Sequence, residues 1–72
     1  MNADLIMHIV AMEQLTVSYT NYRGETADRT IKPMSIYYGS TEWHKEPQWL
    51  VNVWDVEKQA ARTFALKDMK PV

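Results

Sequence analysis

Seventy-two residues make one small domain, and a chain this short buries only about 60% of the surface its unfolded form exposes. Without cysteine, and with only His8 and His44 far apart, it has neither a disulfide framework nor zinc-ligand spacing, so its core rests on packing, aided by any self-association. Eight basic residues against nine acidic ones, a net charge of -1, give no long-range field for a polyanion, so a nucleic-acid role would need a local patch.

The chain has no repeat, low-complexity tract or linker, and its prolines are scattered at 33, 47 and 71. Its opening segment, NADLIMHIVAMEQ, predicts a helix over about residues 3–13. Asn2 serves as N-cap, and Asp4 sits where the helix dipole favours an anion. Leu5, Ile9 and Met12 form one apolar stripe with Ile6 and Val10 beside it, while Asp4, His8, Ala11 and Gln14 fall on the other side. The run from Leu5 to Met12 is interrupted by His8 and falls far short of the roughly 20 residues that span a bilayer. No cationic segment precedes it, so it does not read as a signal peptide. The expectation is a soluble, cytoplasmic domain with no membrane partner.

From Leu15 the period changes to two. LTVSYTN sets Leu15, Val17 and Tyr19 on one face and Thr16, Ser18 and Thr20 on the other, as in a half-buried antiparallel strand. A turn at NYRGE follows, where Gly24 is free to take positive φ. A second strand is expected over about Asp28 to Tyr38. It contains Pro33, which cannot donate to a ladder and so implies an edge or a bulge. Gly39 to Pro47 is polar and reads as an exposed loop.

QWLVNVWDV then resumes strand character. Alternation puts Trp49, Val51, Val53 and Asp55 on one face and Leu50, Asn52, Trp54 and Val56 on the other. EKQA is a turn, RTFAL the last strand, and KDMKPV a single turn and tail. The expected fold is mainly β, of the α+β kind: an N-terminal helix capping a four- to five-stranded antiparallel barrel over about residues 15–70, all one domain from 1 to 72.

Catalytic patterns are missing. There is no G-x-S-x-G elbow and no histidine placed with a serine and an acid. Glu42 and Glu46 share a solvated loop with Lys45, which argues against general acid–base work, and two glycines cannot build a phosphate loop. The sequence predicts a protein that is not an enzyme and that carries no cofactor or metal. What remains are Arg29, Lys32 and Arg62 beginning or flanking strands, interleaved with Tyr19, Tyr37, Tyr38 and Trp49. Either they converge as cation, hydroxyl and stacking surface for an anionic or aromatic ligand, or each arginine is a solvated strand-end residue.

The spacing of VSYTNYRGETADRTIKPMSI and PQWLVNVWDVEKQAARTFALKDM resembles the WYL domain family. That family's pattern runs strand tyrosine, G-x-x-x-x-R-x-I-x-P, W-Y-L, a short hairpin, and R-x-F-x-L-x-x-I. Tyr19, Gly24, Arg29, Ile31, Pro33, Leu50, Arg62, Phe64, Leu66 and Met69 match in order, and the resemblance covers about residues 5 to 70. It implies an Sm-like, SH3-type barrel and a non-enzymatic sensing or regulatory role in bacteria, binding a nucleotide, nucleic acid or other anion. Carried over by position, the ligand-facing candidates are Tyr19, Arg29, Trp49 and Arg62. The Leu50 face, with Trp54, is assigned mainly to packing.

Two cations of the pattern are absent here, because Ala65 and Asp68 stand where many members have arginine, and Gln48 replaces the motif's tryptophan. The DNA-binding helix-turn-helix usual in such regulators has no counterpart in this stretch. The alternative reading is a protein-interaction or self-association module, in which a sheet edge or the YYGSTEW aromatics meet a protein partner or a second copy.

Overall fold

A computed structural model describes residues 7, 9–11 and 13–72. Its elements are β1 (Leu15–Thr20), β2 (Thr26–Gly39), β3 (Gln48–Asp55), β4 (Ala60–Ala65), a 3-10 turn (Leu66–Asp68) and β5 (Met69–Pro71). The strands form one antiparallel sheet in the order β4-β3-β2-β1-β5.

The α+β expectation is therefore corrected: among the described residues the fold is all-β and contains no α-helical element. Much of the helix expected over about 3–13 lies outside the described residues. Met7, Ile9 and Val10 have helical backbone, and the N–H of Ala11 donates to the carbonyl of Met7 at 2.9 Å. Ile9 is buried and joins the core. The expected C-terminal tail is also corrected, because Met69–Pro71 pairs with β1 as a short strand.

Local chemistry accounts for the hairpins. In the β1–β2 turn the Asn21 side-chain oxygen accepts from the N–H of Arg23 at 2.9 Å and of Glu25 at 3.0 Å, while Gly24 takes φ 81°. In the β3–β4 turn Asp55 Oδ1 accepts from the N–H of Lys58 at 3.1 Å, and Gln59 enters the left-handed region at φ 52°. Pro33 behaves as its missing N–H requires, since the β2–β3 register shifts between Pro33 and Ser35 in a bulge.

That bulge bends a long strand. Fourteen extended residues would span about 46 Å, yet the longest dimension of the molecule is 27 Å. The whole sheet curls likewise. Flat, β1 and β4 would lie about 14 Å apart, but the rings of Tyr19 and Phe64 stack with centroids 3.8 Å apart and planes 10° apart. The Tyr19 hydroxyl also accepts from the N–H of Ala65, at 3.2 Å. The result is a barrel-like sheet whose ends, β4 and β5, are joined through the 3-10 turn.

The concave side holds Val17, Tyr19, Ile31, Val51, Val53 and Phe64, closed by Leu66 and Met69. Asp55 shares this side and is buried. In β3 the assignment of faces is more even than expected. Leu50 is fully buried, but so are Val51 and Val53 on the opposite face, while Trp54 is 40% exposed. Leu50 packs as its motif position suggests, and Trp54 does not share that burial.

Candidate functional site

The curled sheet leaves an open groove of about 820 Å³ along β4. Ala61, Arg62, Thr63 and Phe64, four consecutive residues of that strand, all line it. Successive residues of a strand point to opposite faces, so the groove takes lining from both sides of β4 and reaches its edge. Tyr19, Arg29 and Asp55 form part of the lining from β1, β2 and β3, Tyr22 adds a wall from the first turn, and residues Thr41–His44 add another from the β2–β3 loop.

Tyr19 is a floor residue. It is only 5% exposed, stacked on Phe64, and its hydroxyl is held by Ala65. Burial raises its pKa above the ordinary value near 10, the hydrogen bond from Ala65 works against this, and the charge of Asp68 adds to it. A raised folded value means that Tyr19 favours the folded state fully below pH about 10 and loses that contribution as pH climbs above it. Tyr19→Phe is expected to flatten the alkaline fall in stability. At neutral pH it should cost about 1 kcal/mol, because the Ala65 N–H loses its acceptor. Denaturant midpoints measured from pH 7 to 11 check both parts.

Arg29 sits half-buried beside the interior, with Nη1 3.7 Å from Asp55 Oδ2. Its Nε is buried and has no hydrogen-bond partner. Arg62 is exposed, and its Nη1 donates to the carbonyl of Ala61 at 3.1 Å. The outer lining is a polar chain: the Thr63 hydroxyl donates to Asn52 Oδ1 at 2.9 Å, and Asn52 Nδ2 donates to Ser35 Oγ at 2.9 Å.

The groove thus brings together Tyr19, Arg29 and Arg62. Trp49 lies elsewhere. It is 47% exposed and meets Tyr38, its cross-strand neighbour, edge-on at 5.4 Å. Sequence reasoning missed Tyr22 and Trp43 as lining residues. Their rings touch at 5.1 Å across the groove, and Arg23 lies against Tyr22, its guanidinium carbon 5.5 Å from the ring centroid. The available signal was a tryptophan in an otherwise polar loop, two residues after Thr41. The Thr41 hydroxyl accepts from the N–H of Trp43 at 3.2 Å and of His44 at 3.0 Å and so holds the loop compact.

The departures from the family pattern have clear positions. Ala65 is fully buried, Asp68 half-buried, and Gln48 half-buried with Oε1 unpartnered. Among the described residues no group of three or more His, Cys, Asp or Glu could hold a metal ion, and no helix is long and apolar enough to cross a membrane.

None of the curated proteins and none of the solved structures compared gives a significant match. A family model described as WYL domain matches residues 3–72. With that match over nearly its whole length, and with Gly24, Arg29, Ile31 and Pro33 set in the turn and bulged strand described above, the chain belongs to the WYL domain family.

Proposed function

We propose that this domain is a non-enzymatic, cytoplasmic sensing module that binds a negatively charged ligand, a small molecule or the end of a nucleic acid, in the groove along β4. The observation that carries the reading is the meeting of two arginines from separate strands over an aromatic floor, one of them with a buried donor unpaired. An anionic oxygen at Arg29 Nε would supply the bond that this atom lacks. Trp43 and Tyr22 offer ring faces for a planar group. Membership of the WYL family is consistent with a regulatory role.

Trp43 is the tryptophan that lines the groove, so a variant with Trp49 and Trp54 replaced by phenylalanine isolates its fluorescence. Titration with cyclic dinucleotides and short oligonucleotides is expected to change that signal. The midpoint should move to higher concentration with salt and in Arg62→Ala. A flat response at low salt sinks the proposal.

Ile36, Tyr38 and Trp49 are exposed and lie on one face at neighbouring cross-strand positions, which favours a second reading, self-association. Sedimentation across concentration separates the two.

A further inference from the structure

The hydrogen-bonding pattern of β4 determines what its outer edge can bind. The N–H of Ala65 donates to the Tyr19 hydroxyl and is therefore turned away from β3. Leu50 and Ala65 are then a non-hydrogen-bonded pair, and alternation along an antiparallel ladder gives the same status to Asn52–Thr63 and Trp54–Ala61. Consequently the N–H and C=O groups of Ala61 and Thr63 point out of the sheet. The Ala61 carbonyl fits this, because it accepts from the guanidinium of Arg62 at 3.1 Å.

β4 ends the sheet. Among the described residues, β4 has no strand neighbour other than β3, so the outward N–H of Ala61 and the outward N–H and C=O of Thr63 have no ladder partner. An uncovered edge of this kind is a template for another strand. Here the template opens onto the groove lined by Ala61, Arg62 and Thr63.

The arginines define the occupant. Arg62 pairs with Val53 and so projects on the concave side of β4, the side of Phe64. In a strand laid against β4, the side chain beside Arg62 falls on that same side, toward the groove where Arg29 Nε lacks a partner. Asp55 is already held by Arg29 and by the N–H of Lys58. A second copy of this chain fits poorly, because its β5 edge is three residues long and carries Lys70, and its β4 edge laid antiparallel about Arg62 would set two arginines side by side.

We propose that the open edge of β4 takes an extended peptide strand from a partner protein, bonded to Ala61 and Thr63, with one acidic side chain lying between Arg62 and Arg29. This goes beyond the ligand proposal: it shares the two arginines and adds a role for the β4 backbone.

The test uses 15N-labelled protein and capped heptapeptides of alternating threonine and valine, with a single glutamate moved through the sequence. At least one peptide is expected to shift the amide signals of Ala61 and Thr63 and slow their hydrogen exchange. N-methylating that peptide at alternate amides should weaken binding about three- to tenfold for each bond lost. Ala61→Pro removes an outward N–H without touching the β3 ladder and should have the same effect. If that variant fails to fold, the N-methylated peptide decides. Unmoved Ala61 and Thr63 signals with every peptide at millimolar concentration overturn the inference, as does undiminished binding of the N-methylated form. If nucleotides bind in the groove while all peptides leave these amides unmoved, the edge proposal fails and the ligand proposal stands.

Discussion

Replacing Phe64 by alanine is expected to lower the free energy of unfolding by about 3–5 kcal/mol, the range for removing a buried aromatic ring from a packed core. The ring is 5% exposed and stacks on Tyr19 at 3.8 Å, so its loss also removes the contact that ties β4 to β1 across the curl. Domains of this size have only a few kcal/mol to spare, and the variant should be largely unfolded at room temperature. Chemical denaturation followed by circular dichroism measures this directly. A midpoint like that of the wild type would mean that Phe64 is not part of the core.

Arg29→Met is the second large effect, expected at about 2–3 kcal/mol. The substitution leaves the carboxylate of Asp55, 1% exposed, without its cation, and stranding a buried charge usually costs about 3–5 kcal/mol. The value falls below that range because Arg29 is itself 28% exposed and 3.7 Å from its partner. Asp55→Asn in the same background should restore part of the loss, since the remaining side-chain oxygen still accepts from Lys58. A double-mutant cycle that shows no coupling would rule out the pair as the cause.

Much of the fold was legible because local rules agree with the global arrangement. Period-two alternation gave Leu15–Thr20 its buried face, Gly24 gave the first turn, and Pro33 gave the bulge. Met69–Pro71 was not legible. It has three residues, one of them a proline, and becomes a strand only because β1 has a free side to receive it.

At the site, the sequence could name Tyr19, Arg29 and Arg62 but not their geometry. Tyr19 reads as a ligand contact by family position, yet its hydroxyl is committed to Ala65. That Trp49 lies away from the groove was not legible, because alternation fixes the face of a residue but not how far along a bent sheet that face stays closed. By Trp49 the concave side has opened to solvent. Trp43 joins the groove only because the bend in β2 carries its loop back to the first turn, a long-range effect that no local pattern encodes.

The pairing of β1 with β5 also affects how the chain folds. Val17 meets Pro71, so this ladder closes a loop containing almost all of the barrel, whereas the hairpins β2–β3 and β3–β4 close over short connections. Contacts between distant parts of a chain form late, after the entropy of closure has been met, and they slow folding. A three-residue ladder adds little favourable energy in return. The central hairpins are therefore expected to form first and the terminal strand to dock last and detach first, so amide exchange should be faster at Lys70 than at Val51 and Val53.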